Sequence, residues 1–176
     1  MDREDINMED IKEKIIDEAK RIEEDSLYSS KGHLFAANFW RKCHLWLGIP
    51  SSILAAIAGG LALAKFESLA VLAGLLAIIV TALTTISTFL NPNEKANCHL
   101  NSGNQFNELK NNSRIFYEIE PSLQSSDEEL AAKLDELARR RDDLNMSSPQ
   151  IPRQAYDKAK KSIEKGEADY TVDRMS

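Results

Sequence analysis

Apolar positions follow two patterns along the chain. Between Leu45 and Leu90 they are nearly continuous; elsewhere they recur every three or four residues among charged neighbours. The continuous region divides into LWLGIPSSILAAIAGGLALA, residues 45–64, and LAVLAGLLAIIVTALTTISTFL, residues 69–90. Each run has the roughly 20 apolar residues a membrane-crossing helix needs, and neither holds a charge. Only KFES, residues 65–68, separates them, which predicts a tight antiparallel hairpin with both chain ends on one side. The rival is a buried helical hairpin in a soluble bundle. It requires the rest of the chain, mostly charged, to wrap two helices that are apolar all round. Pro50 falls in the first turn of the first run, where its missing N–H costs little, so it predicts a helix start or bend there.

The flanking segments read as amphipathic helices. Ile11, Ile15, Ala19 and Ile22 share one face of a helix over about residues 8–28. Gly32 weakens that helix, which either runs on or hinges near Ser29–Gly32. Asn91–Pro92 predicts a break after the second run. From about Asn93 to Glu118, Leu100, Phe106, Leu109 and Phe116 mark a helix face, and Pro121 stops it. Ser126 with Glu129 forms a capping-box signature before Leu130, Leu134, Leu137 and Leu144. Pro149 and Pro152 end that helix, a shorter one follows from Arg153 to Lys165, Gly166 closes it, and the tail is expected to fray. No strand pattern or repeat stands out. The fold class is therefore an all-α membrane protein: residues 1–44 an N-terminal helical region, 45–92 the transmembrane hairpin, 93–176 a C-terminal helical region.

Charge adds orientation to this picture. Only Lys65 and Glu67 are charged between Leu45 and Leu90, whereas the preceding residues hold 11 acids and 8 bases and the following ones 16 and 13. Neither flank is the basic platform that nucleic acid requires. Arg41 and Lys42 precede the first run and Lys95 follows the second, while the tip offers Lys65 offset by Glu67. The lysine and arginine bias places both termini in the cytoplasm, with Trp40 and Trp46 near that interface. The start, MDREDINMEDIKEK, shows no basic-then-apolar signal peptide. Two cysteines are too few for a disulfide framework.

Candidate chemistry is sparse. Cys43-His44 and Cys98-His99 are four potential zinc ligands. Adjacent helical residues point about 100° apart, however, so neither pair converges on one ion, and packing at the interface is the reading preferred. His33 has no evident partner. Arg139, Arg140 and Arg141 suit a phosphate or an anionic lipid head; beside Glu136, Asp142 and Asp143 they read better as an exposed, dipole-favoured helix end. No phosphate loop, nucleophile elbow or metalloprotease motif is present, so no enzyme, metal or cofactor is expected.

The second run holds one ordered feature. Ala70, Gly74, Ala77, Thr81, Thr84, Thr88 and Asn91 fall on a single line at steps of four and three. The first run has Ser52, Ala56, Gly60 and Ala64, spaced by four. Small residues let membrane helices approach closely, and hydroxyls add weak bonds between them. The two stripes either pack, within one hairpin or between protomers, or the Ala77–Asn91 face lines an aqueous path in an oligomer. Two helices enclose no channel, so any path requires several protomers.

Three stretches resemble the SLATT family of two-helix membrane effector domains. SLYSSKGHLFAANFWRKCHLWLGIPSSILAAIAGG is similar to the family's approach to its first span through His33, Ala37, Trp40, His44 and the LGIP turn. TTISTFLNPNEKANCHLNSGNQFNEL resembles its exit from the second through Phe89, Glu94, His99, Phe106 and Leu109. SPQIPRQAYDKAKKSIEKGEADY is similar to its C-terminal, proline-containing helix. The resemblance implies an oligomeric inner-membrane effector, pore-forming or permeabilising, in prokaryotic anti-phage defence. It also implies a separately encoded nucleotidyltransferase or nucleotide-sensing partner, and carries no catalytic residues. The alternative is a non-conducting membrane adaptor that recruits a cytoplasmic partner.

Overall fold

The computed structural model describes residues 3–64, 67–119 and 126–170. These form α1 (Arg3–Leu63), α2 (Glu67–Leu90), α3 (Pro92–Ile119), α4 (Asp127–Ser147) and α5 (Arg153–Glu164), and the fold is all-α. Lys65 at the expected hairpin tip, Pro121 as the expected stop of α3 and the tail beyond Tyr170 lie outside the described residues. The chain divides into two compact units. One joins Met1–Ala36 to Cys98–Ser176; the other is Ala37–Asn97.

In the first unit the predicted faces make the core. Ile15, Ala19, Phe116 and Leu130 form one cluster, and Ile22, Phe106, Leu109 and Leu144 a second. Leu134 and Leu137 on α4 pack against both. Burying each of the isoleucine, leucine and phenylalanine side chains contributes roughly 1.5–3 kcal/mol. Ile11, at the start of the expected stripe, is instead exposed, and Leu100 only half-buried. The helix ends follow their signals. Ser126 accepts from the Glu129 N–H while Glu129 accepts from the Ser126 N–H, the complete capping box. Gly166 takes a φ of 72° just past α5.

The expectation that Pro50 starts a helix is corrected, and one of the two alternatives at Gly32 is met. Pro50 neither starts a helix nor ends one: α1 is a single helix of 61 residues with Pro50 inside it. Proline removes one ladder bond there, and the two serines that follow it bond back to the preceding turn. Ser51 Oγ donates to the Leu47 carbonyl at 2.6 Å and Ser52 Oγ to Gly48 at 3.0 Å. At Gly32, of the two alternatives expected, α1 runs on.

The arginine cluster is also relocated. It lies before the last turn of α4, which contains no base, so it does not complement the helix dipole. Its members turn in three directions. Arg139 pairs with Asp135, Arg140 donates to Gln105, and Arg141 lies within 4 Å of Glu18, Asp25 and Asp142. It ties α4 to its neighbours with mixed charge and forms no anion cradle.

In the second unit α1 and α2 turn matched faces inward. On α1 the buried or half-buried positions include Leu47, Ser51, Leu54, Ala58 and Leu61. On α2 they are Leu69, Ala73, Leu76, Val80, Leu83 and Ser87. Both series alternate steps of four and three, the seam of an antiparallel helix pair. Ser51, Ala58 and Ala73 are its most deeply buried members.

Candidate functional site

Both long apolar segments are long and apolar enough to cross a membrane. Their most apolar windows are only 11% and 6% buried, which is not the condition of helices wrapped inside a soluble core. Large apolar side chains point outward instead: Ile49, Ile53 and Ile57 on α1, and Val71, Leu75, Ile78, Ile79 and Phe89 on α2.

The periodicity of α2 then defines three sectors. At about 100° per residue, the seam occupies one face, and Val71, Leu75, Ile78, Ile79 and Phe89 another. Ala77, Thr81, Thr84 and Thr88 fall between them, about 100° from the seam axis. All four are exposed, as are Gly74 and Asn91. The predicted line of small and hydroxyl residues is therefore a face of its own. It does not pack within the hairpin, which corrects that version of the packing reading.

The same correction applies to α1. Ser52, Ala56, Gly60 and Ala64 are exposed, and the seam runs through Ser51, Leu54, Ala58 and Leu61 instead. A spacing of four drifts about 40° per step around a helix, so that stripe turns progressively away from any one partner. No atom lies within 4 Å of a Cβ placed at Gly59, Gly60 or Gly74.

The hydroxyls on this face are not left without partners. Thr81 Oγ1 donates to the Ala77 carbonyl at 2.8 Å and Thr88 Oγ1 to Thr84 at 2.9 Å. Thr84 Oγ1 lies between the carbonyls of Val80 and Thr81. Each donor is closed onto its own helix, leaving an outward-facing oxygen lone pair and a methyl group.

At its end the line meets a turn. Asn91 adopts a φ of 41°, a left-handed conformation that asparagine tolerates better than most residues. Its side-chain amide donates to Glu94, and its carbonyl accepts from Lys95 N–H at 3.2 Å. Pro92 then opens α3, where its fixed φ suits a first helical position. Lys95 Nζ lies 4.5 Å from the ring centre of Trp40, a cation–π contact joining α3 to α1.

The first unit holds a buried polar contact that sequence reasoning missed. His33 on α1 and His99 on α3 face each other with their Nδ1 atoms 2.9 Å apart, and both are buried. The Phe106 ring stacks on His33 at 5.5 Å. Burial, and then His99, hold the His33 pKa down at about 4, and burial lowers that of His99. The pair is therefore neutral near pH 7, with one Nδ1–H donating to the other ring's lone pair. Of the residues weighed as zinc ligands, His99 is taken up by His33, Cys43 is half-buried, and His44 and Cys98 are exposed. Among the described residues no group of three or more potential ligands comes together.

Elsewhere in this unit, Tyr117 donates to Glu23 at 2.7 Å, and burial followed by Glu23 raises its pKa. A cleft of about 400 Å³ between α1, α4 and α5 carries Glu24, Asp25, Arg141 and Lys160, two charges of each sign.

A family model matches most of the chain. SLATT_4, the SMODS and SLOG-associating 2TM effector domain family 4, matches residues 13–174. No curated protein matches the chain, and no solved structure does.

Proposed function

Because the chain belongs to the SMODS and SLOG-associating 2TM effector domain family 4, we propose that it is an oligomeric inner-membrane effector with both termini in the cytoplasm. A defence signal opens a path through the bilayer lined by Ala77, Thr81, Thr84, Thr88 and Asn91. One observation carries this reading. The hydroxyl face is exposed and is neither the hairpin seam nor the sector of large apolar side chains. Exposed threonines in a membrane-length helix favour a neighbour other than lipid tails, either another protomer or water. Several hairpins turning this face inward would enclose a graded path, apolar at Ala70 and polar at Asn91. The trigger is a separately encoded nucleotidyltransferase or nucleotide-sensing partner acting on the cytoplasmic helices.

The test is dye and ion release from liposomes bearing purified protein, alongside toxicity on overexpression. Replacing Thr84 and Thr88 by Leu is expected to preserve insertion and abolish release. Undiminished release would sink the lining assignment.

A second reading rests on the closed hydroxyls. Thr81, Thr84 and Thr88 already donate to their own helix, so the face needs no water and can pack dry between protomers. The protein is then a non-conducting adaptor. Liposomes that stay tight in every oligomeric state favour it.

A further inference from the structure

The contact between α1 and α3 in the first unit changes character along its length. Around Ile15, Ala19 and Ile22 it is apolar, closed by Phe106, Leu109 and Phe116. From Ser26 to His33 on α1, and from His99 to Gly103 on α3, it is small and polar, with Ser26, Ser30, His33, His99 and Ser102 all buried. The backbones approach closely there. Ser30 Oγ donates to the Gly103 carbonyl at 2.8 Å. A Cβ added to Gly103 would stand 3.1 Å from Leu34 and 3.3 Å from the Ser30 carbonyl oxygen. The His33–His99 bond lies within this tight stretch.

We propose that the His33–His99 pair is a proton-operated latch between α1 and α3: neutral, it holds the helices together, and proton uptake parts them. With both rings neutral, one Nδ1–H fills the other's lone pair. When each ring has taken one proton from water, both Nδ1 atoms carry hydrogens that point at each other across 2.9 Å. The bond is lost, and two positive charges share a buried site. The close approach at Ser30 and Gly103 holds the two backbones together beside the rings.

The lowered pKa of His33 comes from burial and then from His99, and that of His99 from burial. Ser30 and Ser102, the nearby hydroxyls, do not titrate, and Phe106 covers His33 with carbon. Lys31, the adjacent cation on α1, is held by Ser162 Oγ at 2.9 Å. The sign follows from linkage. Parted rings regain an ordinary pKa near 6.5, above the lowered values in the closed pair, so the closed state binds fewer protons. The latch is fully favoured above about pH 6.5 and loses ground as pH falls from there toward about 4, where His33 titrates when closed. Each ring contributes up to about tenfold per pH unit in that window, and the pair up to about a hundredfold.

What the latch releases rests on the effector reading above; the latch itself does not. The experiment uses the full chain in lipid nanodiscs. Amide exchange, corrected for intrinsic pH dependence, is compared at pH 7.5 and 5.5, and imidazole nitrogen resonances are followed over the same range. Protection across 26–36 and 99–106 is expected to fall about tenfold or more at pH 5.5, while 15–22 and 130–144 keep theirs. At pH 7.5 the resonances should show one Nδ1–H ring and one Nε2–H ring. His99→Phe should reduce the pH response of exchange to the part that the buried His33 alone supplies; if that variant misfolds, the wild-type resonances decide. Two Nε2–H rings, titration of both near 6.5, or pH-independent exchange would overturn the latch. Exchange that responds as expected in liposomes that never leak would instead count against the pore and leave the latch standing.

Discussion

Gly32 and Ile151 stand closer than an ordinary side chain at residue 32 would permit. A Cβ there would lie 3.0 Å from Ile151 Cδ1 and 3.2 Å from Cγ2. The glycine in α1 is a seat for the segment between α4 and α5, which explains why it sits mid-helix at a propensity cost of about 1 kcal/mol against alanine. Gly32→Ala is therefore expected to gain almost nothing, because the contact offsets the propensity. Gly32→Leu should lose roughly 1–3 kcal/mol through overpacking. Denaturant unfolding of the purified protein checks both, and Ile151→Ala should restore part of the loss in Gly32→Leu. A full stabilisation by Gly32→Ala would count against the contact.

Gly60 and Gly74 present the opposite case. Nothing lies within 4 Å of a Cβ at either, so within the protomer a larger residue meets open space. Gly60→Leu and Gly74→Leu are expected to keep the helices intact and to favour them slightly through propensity. If the small faces pack between protomers, the same changes will split the assembly, since small residues are what allow close helix approach. Size-exclusion chromatography with light scattering in mild detergent reads this directly. An unaltered mass for both variants removes these faces from any subunit contact.

Much of this fold was legible in the residues, because local signals and core burial agreed. Ile15, Ala19, Ile22, Phe106, Leu109, Phe116, Leu130 and Leu144 were readable as helix faces, and all are buried. The Ser126–Glu129 capping box needed only its spacing. Pro50 misled because a proline early in an apolar run looks the same whether it opens a helix or interrupts one already formed upstream. The hairpin seam misled for a different reason. Period alone marks faces on a helix but does not say which turns inward, and a line of small residues looked like the closest-packing one. The structure instead uses Ser51, Ala58 and Ala73 among leucines, and leaves the threonines outside. His33 and His99 were invisible as a pair because 66 positions separate them and no spacing rule links residues on different helices.

Asn91 is held in a left-handed conformation at a φ of 41° between α2 and α3. Glycine adopts that region without a Cβ penalty, whereas a β-branched residue does so only under strain. Asn91→Gly is expected to fold normally, losing only the bond to Glu94. Asn91→Val should cost about 1–2 kcal/mol and loosen the α2–α3 junction. Thermal unfolding compares the two, and faster proteolysis near residue 91 in the Val variant alone is the second readout. Equal stability of the two variants would remove backbone conformation as the reason for asparagine here.

Thr81, Thr84 and Thr88 allow the two readings of the hydroxyl face to be separated by a nearly isosteric change. Threonine to valine keeps the shape, β-branching and helix compatibility and replaces the hydroxyl with a methyl. The hydroxyl donors lie within the helix, so their loss removes only a weak back-bond and should change stability by less than about 1 kcal/mol. What changes outside is the exposed oxygen lone pair. A face packed dry against another helix should accept three valines, with the same oligomer mass and the same thermal midpoint. A face that meets water should become apolar along its length and lose conduction while the assembly persists. The Thr81→Val, Thr84→Val, Thr88→Val triple variant is therefore expected to keep its oligomer and lose ion release from liposomes. Retained release with a retained oligomer would place the path on some other face. An assembly that falls apart would mean that the threonines bond across the protomer interface, through lone pairs that their own helix leaves free.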